Sequence, residues 1–328
     1  MPDWPDVQLH VVTGKGGTGK TTVAAALALA LASRGKTVLL CEVEGRQGIA
    51  RLFDVAPLPY AERRIAHAEE GGGDLYALAI DPEEALLEYL AMYYRLGRAG
   101  KALDRFGVVE FATTIAPGVR DVLLTGKVYE AANRNARNKG ARHYDAIVLD
   151  APPTGRITQF LNVNTELAGL ARMGPIKSQA DAITSLLRSS RTVVHLVTVL
   201  EEMPVQETAD GVAELREAGL PVGGVVVNLV RPQDLDATQR GELLAGGVDT
   251  AALTTELGRV LDRDPGPLVD VLVAEGRDHA ERRALEDRQR AVVAGIGVPT
   301  YELPRLPGGV DLAALYELAD DLRDQGMA

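Results

Sequence analysis

The stretch that decides the fold is Gly14-Lys15-Gly16-Gly17-Thr18-Gly19-Lys20-Thr21-Thr22, read GKGGTGKTT. Gly14, Gly19, Lys20 and Thr21 fill the pattern G-x-x-x-x-G-K-[ST], a loop whose successive backbone N–H groups cradle phosphates. An apolar run, Gln8–Thr13, precedes it and a helix-forming run, Val23–Ala32, follows. Strand, loop, then helix N-terminus is the context that phosphate binding needs. Gly16, Gly17, Thr18, Gly19, Lys20, Thr21 and Thr22 are therefore the candidate phosphate contacts, with the helix expected to start at Thr21 or Thr22. Lys20 is expected at the β- and γ-phosphates, and the Thr21 hydroxyl on Mg²⁺. Lys15 is left over, a second fixed positive charge in a loop that already has one.

Working outward, short β-branched runs alternate with helical patterns. Strands are expected near Gln8–Thr13, Thr37–Val43, Leu75–Ile80, Tyr144–Asp150, Thr192–Leu200, Val222–Leu229 and Thr300–Leu303. That alternation predicts an α/β fold with a mostly parallel, doubly wound sheet. Ligands of such sheets bind at the carboxyl ends of the strands. GKGGTGKTT, the EGRQG of residues 44–48 and the DAPPTG of residues 150–155 all follow strands, so they are expected to converge. Asp150 is the candidate holder of a magnesium-bound water, and Gly155 leaves its N–H open to a γ-phosphate. Glu44 is the candidate for polarising the attacking water, because it lies just past its strand while Glu42 lies within.

The whole chain, 1–328, reads as one nucleotide domain with two additions. Pro82–Asn133 shows helical spacing at Leu86, Tyr89, Leu90 and Tyr93, and again at Val119, Val122 and Leu123, and is expected as a helical layer. Asp234–Ile296 is expected as a helical insertion before the last strand. A formal charge of −11 argues against a broad nucleic-acid or anionic-lipid surface. The apolar run Val23–Ala32 is short of the ~20 residues of a membrane span, and MPDWPDVQLH is no signal peptide. One cysteine, Cys41, permits no internal disulfide or paired-cysteine metal site, and fits a cytoplasmic setting. The five histidines show no ligand spacing.

The spelling KGGxGK[ST] resembles the deviant phosphate loop of a group of dimeric ATPases. It includes arsenical-pump ATPases, tail-anchored-protein targeting ATPases, ParA and MinD partitioning proteins and nitrogenase iron protein. In that group the extra lysine reaches across a two-fold interface to the partner's nucleotide. The resemblance implies that Lys15 acts in trans, as an arginine finger does; the alternative is that it adds positive potential to its own loop. DAPPTGR followed by ITQFL is similar to the DTAPTGHTLRFL of the pump and targeting ATPases. Met203–Thr208 resembles their PExxxxxET segment, Val225–Asn228 their strand ending in an adenine-reading asparagine, and Leu303–Pro307 their adenine-closing loop. These matches occur in family order. The resemblance thus implies ATP or ADP with Mg²⁺ as ligands, Asn228, Pro304 and Leu306 around the base, and a homodimer or a heterodimer with a paralogous ATPase subunit. A membrane protein or client is the implied further partner, without nucleic acid and without direct membrane insertion. The wording EVEGRQGIARLFD and FATTIAPGVRDVLLTGK is most similar to an actinobacterial anion-transporter branch.

Departures from the family leave alternatives open. Glu44 stands where its water-activating aspartate is expected, and a shift of about 1 Å can cost about 10²-fold in rate. Arg156 replaces a histidine, and the metalloid- and zinc-binding cysteines are absent. Three readings follow: an ATP-hydrolysing dimer coupled to a partner, a low-turnover interaction subunit paired with a paralogue, and a ParA- or MinD-type positioning ATPase. The single cysteine excludes nitrogenase-type electron transfer.

Overall fold

Continuous apolar runs of five to nine residues form strands here because helices cover both faces of the sheet they build. The computed structural model describes residues 2–43, 45, 47–67, 72–94, 117–134, 141–162 and 175–328. Among them are β1 (Leu9–Gly14), β2 (Val38–Glu42), β3 (Arg63–His67), β4 (Asp74–Ala79), β5 (Ala146–Asp150), β6 (Thr192–Thr198), β7 (Val222–Val230) and β8 (Thr300–Pro304). They form one sheet in the order β3-β4-β2-β5-β1-β6-β7-β8. Every neighbouring pair is parallel except β3–β4.

All seven expected strands are present, with no end displaced by more than two residues. β3 is an addition that the sequence reading lacks. RRIAH is charged and largely exposed, and as an antiparallel edge strand it has no continuous apolar run to signal it.

The helices are α1 (Lys20–Ser33), α2 (Gly48–Leu52), α3 (Pro82–Tyr94), α4 (Pro117–Ala132), α5 (Thr154–Leu161), α6 (Pro175–Leu187), α7 (Glu202–Glu217), α8 (Ala237–Ala245), α9 (Thr250–Gly258), α10 (Gly266–Gly295) and α11 (Leu312–Asp324). One core lies between the sheet and α1 with α11; the other lies between the opposite face and α4 to α7. Val23–Ala32 is buried all round, which explains why α1 has no polar stripe. α1 starts at Lys20, one residue earlier than expected, because Gly19 takes the N-cap position at φ 88°.

The layer expected over Pro82–Asn133 contains α3 and α4, with Leu86, Val122 and Leu123 buried; residues 95–116 lie outside the described residues, as do the side chains of Tyr89, Leu90, Tyr93 and Val119. The insertion expected over Asp234–Ile296 is α8, α9 and the 30-residue α10. No helix among the described residues is long and apolar enough to cross a membrane.

Candidate functional site

Strand order puts the GKGGTGKTT loop at the centre of the sheet's carboxyl edge, between β5 and β6. Gly14 ends β1 so close to β6 that a Cβ there would lie 2.2 Å from the Val197 carbonyl oxygen. Only glycine passes that point without moving a strand. The loop then closes on itself: the Thr18 hydroxyl donates to the Lys15 carbonyl at 2.8 Å, and Lys20 Nζ donates to the same carbonyl at 3.4 Å. A Cβ on Gly16, Gly17 or Gly155 would meet nothing within 4 Å, so the cradle is open where phosphate oxygens need room.

The three predicted segments do converge. Thr21 Oγ1 donates to Asp150 Oδ2 at 2.6 Å, joining the start of α1 to the end of β5. Thr13 Oγ1 donates to the Pro152 carbonyl at 2.6 Å, fastening DAPPTG to β1. A Cβ on Gly48 would sit 3.0 Å from Thr21 Cγ2, so the loop after β2 presses on the same corner. A small hydroxyl beside a buried carboxylate, next to an open glycine cradle, fits a hydrated divalent cation bound with phosphate.

Glu44 and Arg46 lie outside the described residues. Between them and beyond, Gly45 and Gln47 adopt left-handed backbone conformations, and Gln47 bonds the Leu58 backbone through both ends of its amide, at 2.7 and 3.1 Å. Glu42 is buried and is the register partner of Asp150 across β2–β5, so both side chains point to the α1 face. Its Oε2 accepts from the Ile49 N–H at 3.2 Å, while its buried Oε1 has no hydrogen-bond partner among the described residues. Sequence reading set Glu42 aside as a strand residue. The signal available was its parity with Asp150, which needs the strand order to be seen.

Lys15 has a partner within its own chain. Its Nζ lies 2.7 Å from Glu207 Oε1, on α7, with both side chains about a third exposed. Glu207 belongs to the Met203–Thr208 segment, whose Thr208 is buried and bonds the Pro204 carbonyl. Arg156 is exposed, and its guanidinium lies 3.8 Å from Asp121.

Beside the loop opens a cavity of about 800 Å³, whose walls include Lys15–Thr18, Met203, Leu229, Arg231, Leu285 and Arg305. Asn228 is buried, and its Nδ2 donates to the Thr18 carbonyl at 2.9 Å. Of the loop after β8, Arg305 lines the cavity, Pro304 closes the strand, and Leu306 packs against the α1-side core. The insertion contributes Leu285 and a buried ion group in which Glu286 meets Arg283 at 2.8 Å and Arg231 at 3.2 Å.

Away from this site, Cys41 is buried, and burial pushes its thiol up to about 12, so it is an inert strand residue. His10 and His195, expected to be without a role, form a buried stacked pair with Nδ1 and Nε2 3.2 Å apart.

A family profile described as anion-transporting ATPase matches residues 7–189. The ATPase BagA of Mycobacterium tuberculosis is 51% identical over 333 residues, spanning 99% of this chain and 96% of that protein. An arsenical pump-driving ATPase of Acidiphilium multivorum is 30% identical over 242 residues, 67% of this chain and 39% of that protein. The ATPase get3 of Aspergillus niger is 29% identical over 184 residues, 55% of this chain and 50% of that protein.

Proposed function

The chain belongs to the anion-transporting ATPase family, and on that premise we propose that it is a Mg²⁺-dependent ATP hydrolase, working as a dimer whose nucleotide state controls a partner. The observation that carries this reading is the 2.6 Å contact of Thr21 with Asp150 at the foot of an open glycine cradle. Backbone N–H groups of Gly16 to Thr22 and the N-terminus of α1 bind the phosphates, and Lys20 neutralises their charge. Thr21 and Asp150 would hold the cation, Asp150 by way of a water ligand. Bound magnesium supplies charge neutralisation on the phosphate oxygens during transfer. Gly155 offers its N–H to the γ-phosphate, and Glu44 orients the attacking water. Asn228, Pro304 and Leu306 surround the adenine. Lys15 leaves Glu207 and enters the site of a second chain, so that hydrolysis requires the dimer. The partner is a membrane protein or a client, met in the cytoplasm.

A second reading makes the chain a low-turnover subunit paired with a paralogue, and Glu44 in place of the family aspartate favours it. One experiment separates the two. ATP hydrolysis per chain is measured against protein concentration for the purified chain alone. A rate that rises, saturates and disappears in Lys15→Ala supports the active homodimer. A rate near zero at every concentration with ATP still bound supports the second reading. Failure to bind ATP at all refutes both.

A further inference from the structure

We infer that Asn228 is a positioning residue for the phosphate loop, holding the Thr18–Gly19 peptide in its phosphate-ready orientation from behind. The inference deepens the nucleotide reading and rests on it. The bonds that close the loop on Lys15 all arise within the loop itself. The bond from Asn228 Nδ2 to the Thr18 carbonyl, at 2.9 Å, ties it to a strand 210 residues away in sequence. Thr18 and Asn228 are 2% and 4% exposed, so water does not replace this bond when it is lost.

Two further features aim Asn228 at the loop. The β7–β8 register shifts between Val227 and Val230, and Leu229 adopts φ 59°, a left-handed conformation uncommon for leucine. Strand alternation puts Asn228 on the α1 side, with Val226, and the kink after it turns Leu229 outward to the cavity. On the loop's side, a Cβ on Gly19 would lie 2.3 Å from Asn228 Nδ2. Glycine at position 19 therefore serves two needs, φ 88° and room for the amide.

The consequence follows from peptide geometry. A trans peptide is planar, with C=O and N–H pointing in opposite directions. Fixing the Thr18 carbonyl toward β7 fixes the Gly19 N–H away from β7. A donor held in place costs no reorganisation when the anion arrives. Asn228 thereby acts on the triphosphate through the loop, independently of the base.

The test compares wild type with Asn228→Ala for binding of Mg-ATP, Mg-GTP and inorganic tripolyphosphate with Mg²⁺. Calorimetry supplies affinities and thermal unfolding checks the fold. The expected result is a loss of about tenfold for all three ligands, tripolyphosphate included, the factor that one buried hydrogen bond is worth. Asn228→Leu keeps the side chain's shape without the donor, and gives the same comparison should the alanine variant fail to fold. Unchanged tripolyphosphate affinity overturns the inference, whether or not base preference changes. Failure of wild type to bind any of the three overturns the nucleotide reading along with it.

Discussion

Acid should unfold this protein through two histidines far from the phosphate loop. His195 Nδ1 accepts from the Gly224 N–H at 3.2 Å, so its hydrogen lies on Nε2 and is donated to His10 Nδ1. His10 then carries its own hydrogen on Nε2, a buried atom for which no hydrogen-bond partner within ordinary bonding geometry is present among the described residues. Among the described residues no carboxylate acts on either ring; Trp4 and His195 pack nearly perpendicular to each other, 5.5 Å apart, and Lys36 repels charge on His10. Burial pushes His195 down to about 3, and burial, then His195, then Lys36 hold His10 well below 6.5 against the smaller opposing effect of a backbone hydrogen bond with Val7. Both rings are neutral in the fold and take up protons near pH 6.5 once unfolded. The stability they contribute is complete above that pH and falls as pH drops through it, because the unfolded chain binds more protons. Each loses up to about 1.4 kcal/mol per pH unit, or about 2 kcal/mol each from pH 7 to pH 5. The pair loses about 4 kcal/mol, a large part of the 5–15 kcal/mol typical of a folded protein. Urea unfolding at pH 7, 6 and 5, followed by circular dichroism, measures this. The double variant His10→Gln, His195→Gln should be less stable at pH 7 but should lose about 4 kcal/mol less over the same interval. Equal acid losses in the two proteins would refute the reasoning.

Gly14→Ala places a Cβ 2.2 Å from the Val197 carbonyl oxygen, so β1 and β6 must separate; destabilisation of about 1–3 kcal/mol should appear as a lower melting temperature. Glu42→Ala leaves the Ile49 N–H without its acceptor and should cost about 1–3 kcal/mol in urea unfolding, whereas Glu42→Gln keeps an acceptor and should cost less. Glu207→Gln removes the charge that holds Lys15 in its own chain. If the lysine works in trans, the concentration for half-maximal hydrolysis should fall by up to about fivefold, the equivalent of the ~1 kcal/mol upper range of exposed pairs.

The cradle was legible because its conformation is written locally. Glycines at 14, 16, 17 and 19, between a strand and a helix, leave few other structures for nine residues. The strands were legible as apolar runs; β5 ends at Asp150 as expected but begins two residues late, and β7 runs one residue further than expected, through its kink. β3 was not, since an exposed edge strand needs only a neighbour with free hydrogen-bonding groups. The histidines were passed over because ligand spacing was sought within the chain, while His10 and His195 meet across adjacent strands.

Sequence alone determined the phosphate loop, the alternation of strands and helices, and the segments that gather at the carboxyl edge. Those features depend on backbone preferences and burial patterns that act within about 15 residues. Tertiary structure decided which side chains meet: Glu207 with Lys15, Asn228 with the Thr18 carbonyl, and Glu42 beside Asp150. Such pairings follow from strand order and register. These are settled by the whole sheet at once, and a carboxylate or amide reads the same in the sequence whichever partner the sheet brings to it.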